Sequence, residues 1–102
     1  MITVNKPLFK LGVVVATPAA IKALENAEQS PWEFLSRHIV GDWGIVDDED
    51  KAANDQAVQD GSRILSAYLL NDADKTKLWI ISEATDDSGN RSCSTLLLPS
   101  DY

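Results

Sequence analysis

Arg63-Ile64-Leu65-Ser66-Ala67-Tyr68-Leu69-Leu70, a polar turn at Asn71-Asp72-Ala73-Asp74, and Thr76-Lys77-Leu78-Trp79-Ile80-Ile81-Ser82-Glu83 read together as a β-hairpin. This is the densest run of β-branched and aromatic residues in the chain, the types that fit a pleated surface. Placing Leu70 opposite Thr76 pairs Arg63 with Glu83, Leu65 with Ile81 and Ala67 with Trp79 on one face. Ile64, Ser66 and Tyr68 then meet Ser82, Ile80 and Leu78 on the other. A slip of one residue would re-sort every side chain. In either register both faces are largely apolar. One face can hold helices; the other must be covered by the neighbours of the first strand, by the tail or by a partner. Tyr68, Leu70 and Trp79 are the residues such a partner would meet.

Working outward, Thr85 to Asn90 is a second turn and Ser92 to Leu98 a further strand, stopped by Pro99 before a short tail. Upstream, Phe9 to Thr17 carries Gly12-Val13-Val14-Val15-Ala16. Its unbroken apolar run predicts a strand buried on both faces. Thr17-Pro18 opens a helix over about Pro18 to Glu28, because Thr caps free backbone N–H groups and Pro has none to waste. Ser30-Pro31-Trp32-Glu33 predicts a second start as a capping box, with Glu33 reaching back to Ser30. That helix runs to about Val40, with Phe34, Leu35, His38 and Ile39 on one face. Gly41-Asp42-Trp43-Gly44 is a tight joint in which Trp43 plugs the core. A third, most polar helix starts near Asp47, where Asp47-Asp48-Glu49-Asp50 suits the positive helix end. It turns Ala53, Ala57 and Val58 inward and ends at Gly61. The fold expected is α+β in one domain over 1–102: a strand, three helices, then a three-stranded antiparallel meander, helices on one face of the sheet. Residues 1–8 read as a loose lead-in.

With 102 residues, 44% of them hydrophobic and 25% charged, the composition is that of an ordinary globular domain. No apolar run approaches the ~20 residues of a membrane helix. The start of the chain has no signal pattern, and the single Cys93 allows no internal disulfide, so the expected compartment is the cytoplasm. The formal charge of −7, from 9 basic and 16 acidic residues, disfavours binding to a phosphate backbone. Solubility accounts for the acid excess; a DNA mimic displaying carboxylates in place of phosphates is the alternative.

No cofactor or metal is expected. One His falls short of a zinc ligand set, and Asp86, Ser88 and Asn90 lack the remaining oxygens of a calcium loop. A nucleophile–base pair drawn from Cys93 or Ser66 with His38 and Asp42 has no supporting spacing, and a strand thiol is usually inert. One polar set remains: His38, Asp42, Asn54, Arg63, Ser66, Tyr68 and Glu83. If these converge at the end of the sheet nearest the joint, then His38, Asp42, Arg63, Tyr68 and Glu83 are the candidate catalytic groups. The structural alternative makes them ties, with Arg63 bound to Glu83 and with Asp42 or Asn54 satisfying loop backbone.

The order of strand, helices and meander resembles the topology of the RelE-like ribosome-dependent ribonuclease toxins. Those proteins are basic, and this chain is acidic. From Leu11 to the end, the sequence also resembles a small family of bacterial proteins without an assigned function, labelled hypothetical or plasmid-related. The matching pieces are Leu11 to Pro18; Ser30-Pro31 with Glu33-Phe34-Leu35; and His38 with Gly41-Asp42-Trp43-Gly44. They continue with Asp50, Asn54, Gly61 and Arg63; Leu65-Ser66-Ala67-Tyr68; Trp79 to Glu83; Leu97-Leu98-Pro99; and Asp101-Tyr102. The departure lies at Asp86 to Ser92, where Asp-Ser-Gly-Asn is inserted and Arg91-Ser92 stands in for an arginine-serine pair. The resemblance implies a bacterial protein of mobile elements and no particular reaction. The expected function is therefore that of a non-enzymatic interaction or regulatory domain, binding a protein partner or a second copy of itself. A small hydrolase or ribonuclease and the DNA mimic are the alternatives.

Overall fold

A computed structural model describes residues 6–102; the first five residues of the expected lead-in lie outside the described residues. The chain forms β1 (Val13–Ala16), α1 (Pro18–Ala27), α2 (Pro31–His38), α3 (Asp48–Asp60), β2 (Ile64–Leu69), β3 (Lys77–Ser82), β4 (Cys93–Leu97) and a final 3-10 turn (Pro99–Asp101). The fold is α+β, and the hairpin register is the expected one, with Ile64 on Ser82, Ala67 on Trp79 and Tyr68 on Leu78. The Leu70 N–H closes the pairing on the Thr76 carbonyl at 2.8 Å.

The sheet corrects the expected layout. Its order is β1-β4-β3-β2, with β1 parallel to β4 and the other pairs antiparallel. It is thus a mixed four-stranded sheet, in which the meander is flanked by the first strand. Three helices between β1 and β2 carry the chain across the sheet, so the strand nearest in sequence to the helices lies farthest from the hairpin. The first strand is also shorter than Phe9 to Thr17, and it is not buried on both faces. Val13 and Val15 are 65% and 43% exposed. Only one face of the sheet is covered by helices, so alternate residues of β1 meet solvent.

That inner face carries Tyr68, Leu70, Leu78, Ile80 and Leu96 against Ala20, Leu24 and Ala27 of α1 and Phe34 and Leu35 of α2. The small residues of α1 let it approach the sheet closely. Both helix starts are capped as their sequences require: Thr17 Oγ1 accepts from Ala20 N at 3.1 Å, and Ser30 Oγ from Trp32 N at 3.2 Å. Glu33 does not complete a capping box; its carboxylate accepts instead from Gln29 Nε2 at 2.5 Å. On α3 the inward residues are Asn54 and Ala57, while Ala53 faces solvent. Ala57 joins Trp43 and Ile64 in a second cluster completed by Phe9 and Val58.

The outer edge of β2 is closed. Asn54 uses both ends of its amide on Leu65, donating to the carbonyl at 2.7 Å and accepting from the N–H at 3.1 Å. Two residues on, Ala67 N–H donates to Trp43 O and Ala67 O accepts from Ile45 N–H. The joint can lie this close because Gly44 has φ 77°, and a Cβ there would run into the Ala67 carbonyl.

Candidate functional site

The C-terminal turn of α2 aims His38 at the inner face of the sheet, where β2, β3 and β4 each present a serine. His38 Nδ1 lies 2.5 Å from Ser66 Oγ, and Nε2 lies 2.9 Å from Ser82 Oγ. Ser82 Oγ lies 2.6 Å from Ser94 Oγ, its cross-strand partner, and Ser94 Oγ donates to the Leu11 carbonyl at 2.8 Å. The chain has one consistent set of protons. Ser94 spends its proton on Leu11 O, so Ser82 must donate to Ser94. Ser82 can then only accept from Nε2–H. In the neutral ring that burial favours, the proton thus sits on Nε2, and Nδ1 accepts from Ser66. Burial pushes His38 down to about 4, assisted by the nearby Arg91 guanidinium.

A serine donating to a histidine is the opening geometry of nucleophilic catalysis. Here it lacks access. His38, Ser66, Ser82 and Ser94 are all 0% exposed. The His38 ring is boxed in by Phe9 at 5.2 Å and Trp43 at 5.8 Å, both edge-on. Every polar atom of the chain has its partner inside the protein. The arrangement ties α2, β2, β3, β4 and the entry to β1 together.

The other expected catalytic groups do not join His38. Tyr68 donates its phenol proton to the Asp42 carbonyl at 2.7 Å, and burial pushes that phenol up to about 12. The Asp42 carboxylate faces solvent, where a 2.7 Å bond from Arg37 Nε holds it below the usual carboxylate range. It also accepts from Gly44 N–H, one of the loop ties expected of it. Arg63 lies on the opposite face of the sheet and donates to Tyr102 Oη at 3.0 Å; no ion pair joins it to Glu83 among the described residues. His38, Arg63 and the Asp42 carboxylate thus lie in three different environments, one in the core, one on the outer face of the sheet and one in solvent.

A cleft of about 460 Å³ does exist, beside the C-terminal end of α3, and none of the five candidate catalytic residues lines it. Its floor includes Arg91, which is 7% exposed. The guanidinium donates to the carbonyls of Ser62, Glu83 and Ala57 at 2.7–3.1 Å. It holds the end of α3, where cationic charge is favourable, against the loop after β3. The Asp86 to Asn90 segment forms its own turn, with Asp86 Oδ1 accepting from Ser88 N and Asn90 N.

The outer face of the sheet is different in kind. The ladder places Val13 beside Cys93, then Val15, Thr95, Ile81 and Leu65 in one row across all four strands. The next row is Leu97, Trp79 and Ala67. No residue of these rows is charged and none of the three α-helices lies over them, but Ile81, Leu97 and Ala67 are only 4–7% exposed, so the open part of the face lies toward β1, at Val13 and Val15. The tail covers part of the second row, with the Tyr102 ring edge-on to Trp79 at 5.8 Å. The expected interface residues divide between the faces. Tyr68 and Leu70 are 1% exposed in the core and cannot meet a partner, whereas Trp79 is half-buried on the outer face.

Sequence reasoning named His38 and Ser66 as candidate site residues but not Ser82, Ser94 or Arg91. The signal was a hydroxyl two residues from Ile80 and two from Leu96, on strands whose alternation already assigned those positions to the core. Comparison with family profiles, with curated proteins and with solved structures finds no match to this chain.

Proposed function

We propose that the protein is a non-enzymatic protein-interaction domain that works through the outer face of its sheet and associates with a second copy of itself. The observation that carries this reading is the uncharged row Val15-Thr95-Ile81-Leu65, flanked by Val13 and Trp79, on a chain of net charge −7. Contiguous apolar surface without charge, rimmed by polar residues, is the signature of a contact surface. Arg63 and Glu83 stand at one end of the rows and Lys77 at the other, which gives the patch a polar rim.

The hydrolase alternative draws no support from the candidate groups, because His38, Arg63 and the Asp42 carboxylate lie in three different environments. A DNA mimic would need an elongated acidic face, and the extents of 39 × 38 × 26 Å describe no such rod. No helix among the described residues is long and apolar enough to cross a membrane. The resemblance to plasmid-related proteins supports a bacterial protein carried on mobile elements.

Size-exclusion chromatography with light scattering tests the reading on the wild type and on Thr95→Lys, which sets a charge in the middle of the row. The expected result is a concentration-dependent dimer in the first and a folded monomer in the second. A wild type that remains monomeric up to millimolar concentration would remove self-association from the reading.

A further inference from the structure

The two edges of the sheet are finished in opposite ways. At β2 every outward backbone group between Leu65 and Ala67 is taken up by Asn54 or by the Trp43–Ile45 segment. At β1 the pairing with β4 uses Val13, Val15 and Thr17: Val13 N–H donates to Ser92 O, and Thr17 N–H to Leu96 O. The alternation of the ladder therefore turns the N–H and C=O groups of Val14 and Ala16 away from the sheet. Among the described residues they have no backbone partner. Exposed edges are ordinarily protected by lysine, proline or a bulge. Within β1, Val13 to Ala16, this one has none; Lys10 and Pro18 lie outside the strand, and Leu11 to Pro18 is a run of eight residues without a charge.

We infer that two copies of the chain join by antiparallel pairing of their β1 strands, about a two-fold axis through Val15. The inference rests on the self-association proposed above and places the contact at the β1 edge of the outer face rather than across its rows. An open strand edge is satisfied by another extended backbone. The β1 edge is complementary to itself. With Val15 opposite Val15 of the second copy, Val14 of each strand meets Ala16 of the other. The donors and acceptors of those residues then match reciprocally, as an isologous contact requires. Val15 sits at a non-hydrogen-bonded position, where opposite side chains come closest. The outer row of one copy would run on into that of the other, making a continuous eight-stranded sheet. Charge favours the same place. Two bodies of net charge −7 repel over most of their surfaces, and this edge is where they can meet without opposing like charges. Four-residue strands bury little area, so the association expected is weak and reversible, below the ~1,200 Å² of standard stable complexes.

Sedimentation velocity of the full chain across the micromolar to millimolar range tests this with two variants. Ala16→Pro deletes one outward N–H and leaves the bonds to β4 in place, because proline is tolerated where the N–H faces away from the sheet. The inference expects a reversible dimer for the wild type, and a monomer with unchanged circular dichroism for Ala16→Pro. The second variant is Val15→Cys in a Cys93→Ser background. Under mild oxidation it should form a disulfide-linked dimer, because the two positions face each other across the axis. Should Ala16→Pro fail to fold, this cross-link decides: its absence overturns the inference. If Ala16→Pro dimerises like the wild type while Thr95→Lys does not, the edge pairing is wrong and the outer-face reading stands. A wild type that is monomeric throughout overturns both.

Discussion

The inner and outer faces of this one sheet reverse the usual signs of function. The inner face holds the chemistry: a histidine, three serine hydroxyls and a tyrosine. Yet it is sealed, and every proton in the chain from Ser66 to Leu11 has an assigned place. The outer face holds almost no chemistry, and yet Val13, Val15 and Thr95 remain in contact with solvent. The difference teaches that polarity is informative only together with access. A buried, fully satisfied polar chain specifies the packing of its neighbours, whereas a partly covered apolar row that opens at Val13 and Val15 points outward to something else.

If the inner chain is structural, breaking it should cost more than any other change. His38→Ala removes the ring, leaves the Ser66 hydroxyl without its acceptor and Ser82 without its donor, and opens a cavity beside Phe9 and Trp43. The expected loss is on the order of 4 kcal/mol in urea unfolding. A loss below about 1 kcal/mol would show that the face is less tightly determined than its hydrogen bonds indicate.

The next largest effect is pH dependence. His38 is neutral in the fold down to about 4, while in the unfolded chain it takes up a proton near its ordinary 6.5. Between these values the unfolded state binds more protons, so stability is full above pH 6.5, falls as pH drops toward 4, and levels off below it. The span corresponds to roughly 3 kcal/mol. Asp42, Asp72 and Asp101 have pKa values lowered from 3.8, chiefly by hydrogen bonds from Arg37, Thr76 and Thr17 respectively. Their contributions are present above 3.8 and are lost only as pH falls further, so the two windows separate. Chemical unfolding at pH 7 and at pH 4.5 measures the histidine part; equal stabilities would contradict a buried neutral imidazole.

Asn54→Leu should cost about 1–3 kcal/mol, because it orphans both backbone groups of Leu65 at the edge of β2. It should also speed amide exchange of Leu65, the group most directly released. At the small end stands Thr95→Lys. On the half-buried outer row it should change monomer stability by no more than about 0.5 kcal/mol while removing self-association. That separation of stability from association is what distinguishes the two faces.

Much of this architecture was legible in the residues. The hairpin register, the starts of all three helices and the insertion of Trp43 into the core follow from turn chemistry, caps and alternation, which are local. What stayed hidden was non-local. The parallel docking of β1 against β4 joins segments eighty residues apart, and no periodicity encodes which neighbour a strand will choose. Because that choice was hidden, Val13 and Val15 read as buried. The polar set was identified in part, as His38, Ser66, Tyr68, Asp42 and Asn54, but its sorting into separate environments was not. Tyr68 and Trp79 sit on opposite faces by the parity of the strand, yet both read as interface residues so long as the covered face was unknown. Arg91 was marked only as half of an arginine-serine pair, without a role, because an arginine in a loop becomes an anchor only when three carbonyls converge on it.

Concentration-dependent amide chemical shifts test the central claim most directly, because they report the contact surface residue by residue in the unmodified chain. Raising the concentration of the labelled protein should move the resonances of Val13 to Ala16, Cys93 to Leu97 and the Trp79 indole, and leave His38, Ser66 and Ser82 in place. Shifts centred instead on the cleft at Arg91, on α3, or on the His38 chain would contradict the account, as would spectra that do not change with concentration.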